Sequence, residues 1–129
     1  MSHKHILLVD DEEDIREVAT ISLETIGGWR VSSASSGADA IVKAKAESPD
    51  AILLDVMMPD LDGPTTFKRL QDDPQTRDIP VILLTAKAHT ADRERLAQIG
   101  VVGLLTKPFD PMTLSAQVTA LLAAKAQAQ

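Results

Sequence analysis

Asp10 and Asp11 follow the apolar run Ile6–Val9, and Asp55 follows the apolar run Ala51–Leu54. Thr85 closes the run Val81–Thr85, and Lys107 stands just after Val101–Leu105. Any one of these residues has an ordinary explanation, because an acid after a strand commonly faces solvent or caps the next helix. Together they are more informative: in an open parallel sheet, the carboxyl ends of the strands open toward one crevice where the strand order switches. Carboxylates gathered in such a crevice resist ionisation unless a cation or hydrogen-bond donors compensate them. Mg²⁺ prefers about six oxygen ligands at about 2.1 Å, and aspartates supply hard oxygens of that kind. Lys107 would cancel charge on an anion joining the site, while the Thr85 hydroxyl would donate a hydrogen bond without adding charge. That set suits phosphoryl transfer.

The elements that must position these residues can be read from the spacing of apolar side chains. Ile6–Val9 suits a strand buried on both faces, and Ile15, Val18, Ala19, Ser22, Leu23 and Ile26 recur at helical spacing, with Gly27 and Gly28 ending that helix. Trp29–Ala34 alternates and predicts a more exposed second strand; Ser36 and Asp39 resemble a capping box for a helix reaching about Glu47. Ala51–Leu54 is a third strand, followed by a loop and a helix from about Pro64 to Leu70. Val81–Thr85 is a fourth strand, residues 89–99 a helix, Val101–Leu105 a short fifth strand, and Asp110 to about Lys125 a last helix with Pro111 in its first turn. Five strand-then-helix units imply an α/β fold, a mainly parallel sheet covered on both faces through right-handed crossovers. The acidic residues Glu12–Asp14 suit the positive end of the first helix.

Composition narrows the classes of function. A chain of 129 residues that is 44% apolar is sized for one compact domain. Nineteen acidic against thirteen basic residues give a formal charge of −6, which disfavours nonspecific contact with nucleic acid. The absence of cysteine removes disulfides and thiolate metal sites and is compatible with a cytoplasmic location. No apolar stretch is long enough to insert in a membrane. His3, His5 and His89 are too scattered to predict a histidine metal cluster, and no "GxxxxGK" loop is present, so the phosphate should come from a donor rather than a bound nucleotide.

The stretches "VDDEED", "LLDVMMPDLDG", "LLTAK" and "LLTKPF", in this order and at these separations, resemble the receiver domain of two-component response regulators, in the single-domain form of the chemotaxis regulators. The resemblance spans residues 5–124, with short tails at 1–4 and 125–129, and implies a flavodoxin-like, doubly wound sheet of strand order 2-1-3-4-5. It implies that Asp55 accepts a phosphoryl group from a histidine kinase or histidine phosphotransfer protein. Asp10, Asp11, Asp55 and the backbone carbonyl of Met57 would hold Mg²⁺, and Thr85 and Lys107 would contact the phosphoryl oxygens. It further implies a cis peptide before Pro108, and it places Pro59 and Gly63 in the loop after the phosphoacceptor, Gly63 for dihedrals denied to residues with a Cβ.

In two places the chain departs from the family pattern. Leu104 stands where receivers often carry Tyr or Phe, which removes a switch built on a moving aromatic ring. Met57 and Lys87 flank the route of water toward the phosphorylated aspartate, and neither orients water well, so slow self-dephosphorylation is expected. Because the receiver fills the chain, output is expected through a partner protein, by resemblance on the face made by the fourth helix, fifth strand and fifth helix, or through phosphorelay. A phosphorylation-independent protein-binding module is the alternative. A phosphatase with an aspartate nucleophile ranks last, since Asp55 is not followed by the second acid of a "DxDxT" motif.

Overall fold

The computed structural model describes residues 4–86 and 90–128. Its strands are β1 (His5–Val9), β2 (Arg30–Ala34), β3 (Ala51–Asp55), β4 (Val81–Thr85) and β5 (Gly103–Thr106); its helices are α1 (Glu13–Thr25), α2 (Gly37–Glu47), α3 (Gly63–Asp72), α4 (Thr90–Ala97) and α5 (Leu114–Ala128). The strands form one parallel sheet in the order β2-β1-β3-β4-β5, with Val9 opposite Leu54 and Asp55 opposite Leu84.

Every residue of β1, β3 and β4 is buried, as their unbroken apolar runs require, whereas β2 at one edge is only partly covered. Alternate strand residues feed two cores. Leu7, Val9, Ile52, Leu54 and Leu83 meet Ala40 and Ala44 of α2, Phe67 and Leu70 of α3, and Leu96 of α4. Ile6, Leu8, Leu53, Ile82 and Leu84 meet Ala19 and Leu23 of α1, and Leu114 and Val118 of α5. This two-sided burial fixes strand register, because a slip of one residue would exchange the two cores.

Local signals account for most element ends. Ser36 caps α2 by accepting from the Asp39 amide at 3.1 Å, while the Asp39 carboxylate turns away to pair with Lys43 at 3.3 Å. Asp62 caps α3 through the Thr65 amide at 2.8 Å, and Pro64 sits in the first turn. Gly28, at φ 71°, takes the left-handed conformation just past α1.

Three expectations need correction. The last helix begins at Leu114, not near Pro111: the Asp110 carbonyl accepts from both the Thr113 and Leu114 amides and holds residues 111–113 in a turn. The fifth strand begins at Gly103 rather than Val101. Val18 and Ile26, placed with the apolar stripe of the first helix, are 44% and 49% exposed; the buried stripe is the narrower Ala19, Ser22 and Leu23. Trp29 helps close that side by donating from Nε1 to the Ser115 hydroxyl at 3.2 Å.

Candidate functional site

The parallel register brings the ends of β1 and β3 side by side, and with them Asp10 and Asp55. Carboxylate oxygens of Asp10, Asp11 and Asp55 lie within 4.8 Å of one another. Asp10 and Asp55 are buried and Asp11 is exposed, so the cluster has one open side. Lys107 reaches into it from the turn after β5, with Nζ 2.9 Å from Asp10 Oδ2 and 3.1 Å from Asp55 Oδ1. The Lys107 amide donates to the Thr85 carbonyl at 2.8 Å, which joins that turn to the end of β4, and Thr85 itself is buried there. The peptide between Lys107 and Pro108 is cis, as the resemblance implied.

The two oxygens of Asp10 have different tasks. Oδ1 accepts from the Glu12 amide at 2.9 Å and so shapes the turn into α1. Oδ2 is buried, and the cation beside it is the Lys107 ammonium at 2.9 Å. A buried carboxylate oxygen is a ready ligand for a cation. Asp55 Oδ1 accepts from Lys107 Nζ and, at 3.4 Å, from the Met57 amide. Burial, and then the charge of Asp10, push the Asp55 carboxyl up to about 6, against the opposing pull of Lys107 and the Met57 amide. Burial works against the Lys107 ammonium, but its contacts with Asp10 and Asp55 outweigh that and raise its pKa above the ordinary lysine value. The site is thus short of positive charge. Hard oxygens from three clustered carboxylates, set against one ammonium, fit a divalent cation such as Mg²⁺.

The loop after β3 is pinned against the site. Gly63 donates to the Val56 carbonyl at 2.8 Å, and a Cβ on Gly63 would lie 2.7 Å from the Asp55 carbonyl oxygen and 2.9 Å from Val56 Cα. Glycine is required there for close backbone approach; its φ is not in the left-handed region, so the dihedral reason expected from the sequence is replaced by a steric one. Pro59 and Met57 are exposed in this loop, Met57 by 66%. Leu104 is partly buried and packs against the core shared with α2, α3 and α4. Lys87 lies outside the described residues, as do His3 and His89.

Two features escaped the sequence reading. Arg16 donates from Nη1 to the Asp10 carbonyl at 2.8 Å, a contact six residues away that one turn of helical spacing does not announce. Ile15 and Val18 of α1, with Asp14, Lys107, Pro108 and Phe109, line a shallow, mainly apolar groove of about 210 Å³ beside the site. A larger cleft of about 500 Å³ lies at the opposite ends of the strands, among Lys4, Asp50, Arg77, Asp78 and Lys125. Its charges are of both signs, and the converging carboxylates are not there.

Residues 6–119 match the sequence profile of the response regulator receiver domain. The chain is 42% identical over 120 residues to the alkaline phosphatase synthesis transcriptional regulatory protein PhoP of Bacillus subtilis, covering 93% of this chain and 49% of that protein. It is 44% identical over 116 residues to the response regulator PleD of Caulobacter vibrioides, covering 90% of this chain and 25% of that protein. The chain therefore spans half or less of the length of these two relatives. Among solved structures, the chemotaxis response regulator CheY4 of Vibrio cholerae superposes with a TM-score of 0.86 at 29% identity, over 93% of this chain and 99% of that one. A putative response regulator from Chloroflexus aurantiacus gives a TM-score of 0.86 at 32% identity, over 95% of this chain and 99% of that one.

Proposed function

The chain belongs to the response regulator receiver domain family, and from that premise we propose that Asp55 accepts a phosphoryl group from a phosphohistidine donor and that the modified chain signals to another protein. The observation that carries this reading is the convergence of Asp10, Asp11 and Asp55 with Lys107 at adjoining strand ends.

Asp10, Asp11, Asp55 and the Met57 carbonyl would hold Mg²⁺. When bound, it would supply positive charge to the transferring phosphoryl oxygens and keep Asp55 ionised. In the transfer, a carboxylate oxygen of Asp55 forms a bond to phosphorus while the phosphorus–nitrogen bond of the donor breaks. The electron pair stays on the imidazole nitrogen, which takes up a proton. Lys107 steadies the phosphoryl oxygens electrostatically and Thr85 donates its hydroxyl to one of them. This is covalent chemistry on the chain's own side chain, with a partner as donor, rather than turnover of a free substrate.

The apolar groove of Ile15, Val18, Pro108 and Phe109 supports docking of the donor next to Asp55, since a phosphohistidine on another protein must be brought in line with the acceptor. Recognition by the downstream partner is assigned to the face of α4, β5 and α5, where Leu104 links the partly buried edge strand to the core. Leu104 carries no ring hydroxyl, so any shift on this face is one of packing. Met57 offers no group that orients hydrolytic water, which supports a long-lived aspartyl phosphate.

Incubation with acetyl phosphate and Mg²⁺, followed by intact mass measurement, tests the reading. One phosphoryl group should be gained by the wild-type chain, and none by Asp55→Ala or in the presence of excess chelator. An unmodified wild-type chain, under conditions that phosphorylate another receiver, would leave the family's protein-binding role without its phosphoryl chemistry.

A further inference from the structure

We propose that Asp60 is a positioning residue for the cation site, tying the loop that carries Met57 to the start of α2 so that the ligand-bearing segments form a closed, preorganised frame. The inference rests on the reading that Asp10, Asp11, Asp55 and the Met57 carbonyl hold Mg²⁺.

Asp60 belongs to a loop whose neighbouring side chains Met57 and Pro59 face solvent, and it is itself exposed. Yet both oxygens of its carboxylate are engaged: Oδ1 accepts from the Gly37 amide at 3.1 Å and Oδ2 from the Ala38 amide at 3.0 Å. The bond from Ala38 foremost, then one from the Leu61 amide and a lesser one from Gly37, hold its carboxyl below the usual aspartate range. α2 already has its own cap in Ser36, which serves the Asp39 amide. Asp60 therefore adds what a local cap does not, a bridge between two segments distant in sequence.

The bridge is tight on both sides. A Cβ on Gly37 would lie 2.4 Å from Thr66 Oγ1, 2.8 Å from Leu61 Cβ and 3.2 Å from the Leu61 carbonyl oxygen. The start of α2 thus meets the β3–α3 loop with no space for a side chain. From there the frame continues toward the other ligands. The Asp10 amide donates to the Ala34 carbonyl at 3.2 Å, only three residues before Gly37. On the far side, Val9 and Leu54 pair directly in the sheet. The loop between Asp55 and α3 is pinned at its base by Gly63 and Val56, and near its tip by Asp60.

A backbone carbonyl is a good ligand only where the surrounding loop holds it still. If the tip of the loop is released, a cation must order it on binding, and the ordering cost appears as weaker affinity. The chemistry at saturating cation should change little, because Asp60 touches neither the acceptor nor the donor.

The test compares wild-type chain with Asp60→Ala, Asp60→Asn and Ser36→Ala, measuring Mg²⁺ affinity by titration calorimetry, thermal stability, amide hydrogen exchange at residues 57–61, and phosphorylation by acetyl phosphate across Mg²⁺ concentrations. Asp60→Ala should weaken Mg²⁺ binding roughly tenfold and speed exchange in the loop, while the rate at saturating Mg²⁺ stays within about twofold of wild type. Asp60→Asn should fall between, because its carboxamide oxygen accepts one of the two N–H groups. Ser36→Ala should lower stability without weakening Mg²⁺ binding. Wild-type affinity in Asp60→Ala, or in Asp60→Asn should the alanine variant not fold, would overturn the inference alone, as would an equal loss in Ser36→Ala. A wild-type chain that binds no Mg²⁺ would instead overturn the reading on which it rests.

Discussion

At the scale of single residues, Asp55 is held between opposing demands. In the proposed transfer it must be ionised to attack phosphorus, yet burial and the neighbouring Asp10 charge favour its protonated form and push its carboxyl up to about 6. In an unfolded chain an aspartate titrates at about 3.9. Where the folded pKa is the higher one, the native state binds the extra proton, so stability contributed by this group is full below pH ~4 and declines as pH rises to about 6. Above that it stays lost unless a cation takes the proton's place. Asp55→Asn should therefore stabilise the chelator-treated protein at pH 8 by about 1–3 kcal/mol, with no advantage at pH ~4 and a reduced one in saturating Mg²⁺. Thermal melts at the two pH values check this, and equal melting temperatures throughout would contradict it. Asp10, Asp55 and Thr85 could be picked out from the sequence because each ends or follows an unbroken apolar run, and Lys107 because it stands just after the fifth strand's run. Asp60 could not, since an acid in a loop looks the same whether it waves in solvent or bridges two segments. The role of Arg16 is equally hidden, because its partner is a backbone carbonyl, which leaves no mark in residue type.

At the scale of elements, strands were easier to read than the ends of helices. β1, β3 and β4 are buried along their whole length, so continuous apolar runs mark them with little ambiguity. Pro111 suits a first helical turn and so predicts an earlier start for α5, whereas the Asp110 carbonyl closes a separate turn before it. Helical periodicity put Val18 and Ile26 on the same side as Leu23, but it could not say where the sheet's cover ends, and both proved exposed. Gly63 is the clearest case of an element end serving the site. Its missing Cβ lets α3 start against the backbone of Asp55 and Val56, atoms that cannot swing aside as a flexible side chain would. Gly63→Ala should cost about 1–3 kcal/mol in urea unfolding from overpacking alone. It should also slow phosphorylation by acetyl phosphate about tenfold or more, because the acceptor carboxylate moves with the strand end. Wild-type stability and rate together would show that the loop yields freely.

At the scale of the whole molecule, spacing gives five strand-then-helix units, but spacing does not order them. The order 2-1-3-4-5 came with the family resemblance, and it is what sets β1 beside β3 and so Asp10 beside Asp55. The same arrangement sets the apolar groove of α1 and the β5–α5 turn next to the carboxylate cluster, a feature built from residues far apart in the chain. Val18 is 44% exposed, so Val18→Glu should fold normally while placing a charge in the groove proposed to receive the donor protein. Transfer from a phosphorylated histidine phosphotransfer protein should slow about tenfold or more, the scale of one lost interface anchor, with the acetyl phosphate rate unchanged. Equal slowing with both donors would mean damage to the site rather than to docking. The central claim concerns one atom group, the Asp55 carboxylate, and chemical mapping addresses it most directly. After reaction with acetyl phosphate and Mg²⁺, borohydride reduces an acyl phosphate to an alcohol, and peptide sequencing by mass spectrometry locates the product. The account predicts homoserine at position 55 and nowhere else, dependent on Mg²⁺; homoserine at position 10 or 11, or phosphate retained on another residue type, would contradict it.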